Sequence, residues 1–262
     1  MTTRKKPISL AAICALQMLL YACATTPTIV AVRSEQHVFK NPSQTNQKSG
    51  ISIEALAMDL DAINADPKLF AKYTAYRKRA DGSTFMTQTG VVMAFPVFKI
   101  KIKNGTGHTI RMERSIFKMV LPEGEVYDSY SKDTFVKNNL AQMGELESNL
   151  VAAGGKLDWT DVGNLTRSLK ILDQNTTIAP GYTETFYLTF QVPTMKTAAD
   201  YMRKHKEFRI QLFDLPSKSD KAGFVTETVH FDFSFPIVST FEETVTQPDG
   251  SKSTTQGEIQ KP

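Results

Sequence analysis

Cysteine, histidine and tryptophan are scarce in this chain, numbering two, four and one among 262 residues. Cys14 lies inside an apolar run near the amino terminus and Cys23 closes that run. If the run is removed as a leader, no ordinary thiol is left. That excludes thiol catalysis, thiolate metal sites and disulfide staples. The histidines (His37, His108, His205, His230) are scattered, and H-E-x-x-H, G-x-S-x-G, Walker and β-lactamase patterns are all missing. An excess of one charge is also lacking. Lys+Arg minus Asp+Glu is 31 − 27 = +4, and three of those cations (Arg4, Lys5, Lys6) belong to the leader, which leaves 28 − 27 = +1. The pI near 8.9 therefore does not point to nucleic acid.

What is present begins at residue 1. Arg4, Lys5 and Lys6 precede an apolar run from Ile8 to Ala22, interrupted by Ser9 and Gln17, and the segment closes Leu20-Tyr21-Ala22-Cys23. This order of charge, apolar run and small residue is that of a secretory signal. The run falls short of the roughly 20 residues that a stable membrane helix needs. Residues 20–23 resemble the bacterial lipobox, with Tyr21 where a small residue is more usual. The resemblance implies cleavage after Ala22, a diacylglycerol on Cys23 and acylation of the new amino terminus. Ala24, in place of the aspartate that commonly retains proteobacterial lipoproteins in the inner membrane, implies transport to the outer membrane.

After Cys23 the composition predicts a flexible tether to Gly50, polar and rich in Ser, Thr, Asn and Gln, with a stray strand at Thr28 to Val32. Thr246 to Pro262 reads as a disordered tail. Between these ends, period-two alternation marks strands at Phe98 to Ile102, Phe186 to Val192, Phe208 to Leu212 and Val225 to Phe235, each with one wet and one buried face. Ile51 to Ile53 and Ile116 to Leu121 add two more. Helical spacing appears over Leu60 to Arg79 with a break at Asp66-Pro67, over Val136 to Leu150, briefly at Leu165 to Leu172, and weakly at Ala198 to Lys204. The expected fold is mainly β: an antiparallel sandwich over 51–245 with a helical insertion at about 133–173.

The strand ending in Asn104, the hairpin Phe117 to Gly124, and Pro180-Gly181 followed by Leu188-Thr189-Phe190-Gln191-Val192-Pro193 resemble secreted bacterial immunoglobulin-like domains. The pattern is similar to the telokin-like and desiccation-related sandwich families. It implies an immunoglobulin-like sandwich used for binding or scaffolding, not for chemistry.

Four constellations bear on function. His230 and Asp232 share a strand face, as a carboxylate-oriented imidazole would, although such a pair is more often two polar residues on a solvated strand face. Asp59, Asp61, Asn64 and Asp66 cluster, but EF-hand spacing is missing and helix capping accounts for them. Lys99, Lys101 and Lys103, with Arg111, form a basic stripe that could meet lipopolysaccharide phosphates or an acidic partner, or be a solvated outer face or charges that guard an edge strand. Trp159 beside Asp158 and Asp161 is a candidate ligand contact or a plug under the insertion. The expectation is a lipid-anchored envelope protein with a non-catalytic structural or protein-binding role, no cofactor, no metal and no nucleic-acid partner. The alternatives are an envelope hydrolase and a sugar- or lipid-binding lipoprotein.

Overall fold

The computed structural model describes residues 30–66, 69–92, 96–152, 156–158, 168–190, 202–247 and 249–259, and strands dominate them. The leader, with Ala22 and Cys23, and also Trp159, lie outside the described residues. The chain divides into two units, His37–Val238 and a smaller one built from the flanking segments.

In the larger unit the alternating segments become two antiparallel sheets. One holds β2 (Ser43–Lys48), β3 (Ile51–Met58), β6 (Val97–Asn104) and β12 (Thr183–Thr189) in the order β12-β6-β3-β2. The other runs β14 (Val225–Thr246), β13 (Glu207–Ser219), β8 (Ile116–Val120) and β9 (Val126–Asp128). Side chains two apart share a face. Ile51, Ile53, Phe98, Ile100, Ile102 and Leu188 from the first sheet therefore enter one core with Phe117, Met119, Phe208, Ile210, Phe231 and Phe233 from the second. Phe98 meets Phe235 at 5.2 Å and Phe190 at 5.9 Å between ring centroids, a spacing at which aromatic pairs add to simple burial.

Local chemistry sets the ends of the strands. Ser49 and Gly50 both take positive φ (47° and 81°), as a two-residue hairpin between β2 and β3 requires. At the end of β6, Asn104 is fully buried and uses its whole amide. Nδ2 donates to the carbonyls of His108 and Ile178, while Oδ1 accepts from the Thr106 N–H and hydroxyl. The next residue, Gly105, donates its N–H to the Gly50 carbonyl at 2.8 Å, an approach close enough that a Cβ there would sit 2.7 Å from that oxygen.

The structure differs from the expected organisation in four places. The supposed tether carries β1 (Val30–Phe39), which pairs with β14, and β2. Leu60 to Arg79 is not helical throughout. It forms a short α1 (Leu60–Ala65) and then β4 (Phe70–Lys78), which pairs with β5 (Thr84–Val92) and β10 (Lys156–Asp158) in a three-stranded antiparallel sheet. The supposed tail contains β15 (Lys252–Ile259), antiparallel to Ser239–Thr246 of β14. Leu169 and Leu172 do not continue a helix, since the chain there pairs with β12 instead. The long helix stands where its stripe placed it, as α2 (Lys132–Ala152) packed against β10. Two short strands, β7 (Ile110–Arg111) and β11 (Thr177–Ile178), pair with each other.

In the smaller unit the Arg33 guanidinium lies 4.3 Å above the Phe241 ring, and Phe241 covers the backbone of Gly257 opposite it. Among the described residues no helix is long and apolar enough to cross a membrane.

Gly105→Ala should cost about 1–3 kcal/mol in a urea titration, because backbone must move to admit the methyl group. Gly107→Ala, with nothing within 4 Å of its added Cβ, should cost less than about 1 kcal/mol. Equal losses would show that the Gly50–Gly105 approach is not a constraint.

Candidate functional site

The helical insertion leaves the β unit after β9 and returns before β11, and the two crossing points are tied together. Ser129 donates its N–H to the Phe117 carbonyl at 3.1 Å, and Tyr130 donates to the Thr189 carbonyl at 2.9 Å. Residues 129 and 130 thus step from one sheet to the other. Ser131 then caps α2, its hydroxyl oxygen accepting the Thr134 N–H at 3.2 Å. The helix also receives a second cap from a distance. Buried Asp173 accepts the Lys132 N–H through Oδ2 at 3.0 Å, placing its carboxylate at the positive end of the helix. Its other oxygen accepts the Asn175 N–H at 2.9 Å, which folds the returning loop into an Asx turn. Leu172 and Tyr187 complete the junction with main-chain bonds along the outer edge of β12.

A cleft of about 320 Å³ opens at this junction, at the small end of ligand-pocket sizes. Its floor is Ser115 and Asp173, both buried, with Phe117 beneath. Ser115 is held in place by its own hydroxyl, which donates to the Asp214 carbonyl at 3.2 Å. Ser129, Tyr130, Ser131 and Thr134 line it half-buried, and the exposed Ile116, Asp128, Gln174 and Asn175 stand at its rim. The lining offers hydroxyls, amides and carboxylates. Histidine and arginine are missing from it, and the neighbouring Lys118 faces Asp128 at 3.9 Å. The arrangement suits recognition by hydrogen bonds better than proton transfer.

No protein-family model, curated protein or solved structure matches this chain.

The described residues expected to carry function fall elsewhere. His230 and Asp232 do share a face, but Nε2 and Oδ2 stand 3.9 Å apart. Asp232 instead accepts two bonds from Arg209, at 2.7 and 2.5 Å, and one from Gln211 at 3.1 Å. His230 stacks on Phe213 at 4.3 Å. That is an ion pair beside an aromatic stack, not a catalytic dyad. Asp59 caps α1 by accepting the Ala62 N–H at 2.8 Å, and Asp66 accepts the Tyr187 hydroxyl at 2.6 Å. Burial and this bond to Asp66 push the Tyr187 hydroxyl above its ordinary pKa. Among the described residues no three potential ligands converge on a metal position. Lys99, Lys101 and Lys103 lie on β6, an inner strand between β12 and β3, so they guard no edge; Lys101 pairs with Glu54 of β3 at 3.2 Å. Arg111 belongs to β7, outside that sheet.

The cleft residues escaped sequence reasoning, although signals existed. Ser131 stands before an apolar helical stripe as a cap would, and Asp173-Gln174-Asn175-Thr176 has turn composition.

Two outcomes are expected. Asp173→Ala should destabilise the protein by about 1–3 kcal/mol, since it strips a cap and leaves the part-buried Lys132 and Asn175 N–H groups without their partner. A loss under about 0.5 kcal/mol in chemical denaturation would refute the capping role. Asp232 concerns acid stability. Burial raises its carboxyl, but the bonds from Arg209 and Gln211 and the charges of Arg209 and His230 outweigh that and hold it below its ordinary value. A depressed carboxyl favours the folded state above its unfolded pKa of about 4, and the contribution disappears as pH falls through the folded value. Asp232→Asn should therefore flatten the acid limb of the stability profile below about pH 4; an unchanged limb contradicts the assignment.

Proposed function

We propose that this chain is a lipid-anchored protein of the bacterial cell envelope whose β unit is a non-catalytic binding module. The anchor reading rests on Arg4-Lys5-Lys6, the apolar run to Ala22 and the closing cysteine. Two acyl chains on Cys23, with a third on its amino group, hold a protein on a bilayer where a single chain gives only marginal binding. The two facing sheets are read as an immunoglobulin-like sandwich, in keeping with the resemblance carried by Asn104, Pro180-Gly181 and the Leu188 to Pro193 strand. Ala24, by the proteobacterial sorting pattern, favours outer-membrane residence.

The observation that carries the binding role is the cleft at the base of the helical insertion. Its floor is fixed by hydrogen bonds already made, and its rim carries exposed amide and carboxylate side chains. Such a division between a rigid support and adaptable contacts is that of a recognition site on loops held by a scaffold.

The anchor and the cleft are tested separately. Cys23→Ala should leave the precursor uncut or free the protein from membranes; membrane-bound protein of mature size would overturn the lipoprotein reading. The processed chain, purified in detergent, should be retained by an envelope preparation from the bacterium that makes it. Gln174→Arg with Asn175→Arg should abolish that retention by blocking the cleft. Retention unchanged by the double substitution would remove the cleft from the function.

A further inference from the structure

We infer that the cleft takes a neutral, hydroxyl-rich ligand, a short stretch of glycan. The inference rests on the binding role proposed above and names the chemistry of its ligand. Three other ligand classes fit the cleft poorly. Anions meet Asp128 and Asp173 in a lining that holds no Lys, Arg or His, and the neighbouring Lys118 faces Asp128 at 3.9 Å. Metal ions need several ligands, yet both Asp173 oxygens already accept backbone N–H groups. Extended peptides dock on a free sheet edge or in apolar side pockets. The edge of β12 beside this cleft is already bonded to residues 130, 170 and 172, and only Ile116 offers an exposed aliphatic surface.

A sugar ring meets what remains. Each hydroxyl both donates and accepts, and vicinal pairs match groups that do the same from a fixed position. The Gln174 and Asn175 amides supply a donor and an acceptor each, and the Asp128 carboxylate accepts two bonds. The ring's C–H face is apolar, which suits the exposed Ile116. A volume of about 320 Å³ holds about two rings. Asp173 is here a positioning residue, since it holds the 174–175 loop through the Asn175 N–H and not through the ligand.

The test uses the processed chain in detergent and isothermal titration with three neutral tetrasaccharides: chitotetraose, cellotetraose and maltotetraose. At least one should bind saturably, with an affinity that hardly changes between low and high salt, because no charge is neutralised. Asn175→Ala and Asp128→Ala should each weaken it about five- to tenfold, the cost of one or two hydrogen bonds. Lys103→Ala, on the other sheet, should leave it unchanged. No saturable binding to any of the three overturns the inference, as does equal affinity in all variants or a steep fall with salt. Envelope retention distinguishes this failure from failure of the binding role. If retention persists and protease treatment of the envelope abolishes it, the cleft binds a protein and the glycan inference is wrong. Retention that survives protease and falls to glycan-degrading enzymes supports it.

Discussion

A single buried carboxylate joins the two ends of the helical insertion. Asp173 accepts the first free N–H of α2 with one oxygen and the Asn175 N–H with the other, while its own N–H donates to the Thr176 hydroxyl at 3.1 Å. The cost of burying that charge is offset because both oxygens are bonded and the helix end is electropositive. The carbonyl of Thr176 in turn accepts from Met112 at 3.0 Å, which fastens the returning chain to the start of the β7–β8 segment. Where a 21-residue helix and its connections could have hung from the β unit at two loose points, the two points are one structure.

This constraint explains the character of the cleft. The groups on its floor are satisfied by the protein itself, so they shape the cavity at little entropic cost to a ligand. Of the exposed groups at its rim, Asn175 and Asp128 are short, and bonding them to a ligand immobilises few rotamers. Asn104 shows the same device without a cavity. Its amide is consumed by the 104–108 loop and the Ile178 carbonyl, and nothing of it is left over for a partner. One buried polar residue braces a site, and the other braces only a fold.

The sheets were legible wherever large apolar residues alternated with polar ones, as in Phe98 to Ile102 or Val229 to Phe235, because one face of each strand is buried. β2 and β15 were not legible. Ser-Gln-Thr-Asn-Gln-Lys has no large apolar residue and Lys-Ser-Thr-Thr-Gln-Gly-Glu-Ile only its last, and they hold their places by pairing with β3 and β14. Their turns, Ser49-Gly50 and Asp249-Gly250, were the better signal, as was Asp81-Gly82 between β4 and β5. The long helix followed from Val136, Leu140, Met143, Leu146 and Leu150. The cleft could not follow from any local pattern, since its residues come from segments around 115, 130 and 174 that are brought together by the Asp173 bonds and by the main-chain bonds of Ser129 and Met112. The His230–Asp232 proximity was visible in sequence, yet the Arg209 that claims Asp232 stands 23 residues away.

An open polar cleft of this size gives modest affinity for a neutral ligand, because each new hydrogen bond replaces one to water and nets about 1 kcal/mol. On the proposed reading that weakness is no obstacle. A protein held to a bilayer by lipid meets other envelope components in a thin layer, and confinement raises effective concentration as a linker does. Envelope polymers also repeat their units, so a ligand that leaves one cleft is close to the next. Weak, fast and reversible contact then keeps the domain against the polymer while both remain free to move. A deep charged pocket would give tighter binding at the cost of that exchange, and the cleft, with exposed amides at Gln174 and Asn175 and its one exposed carboxylate, Asp128, facing Lys118, is built on the other principle.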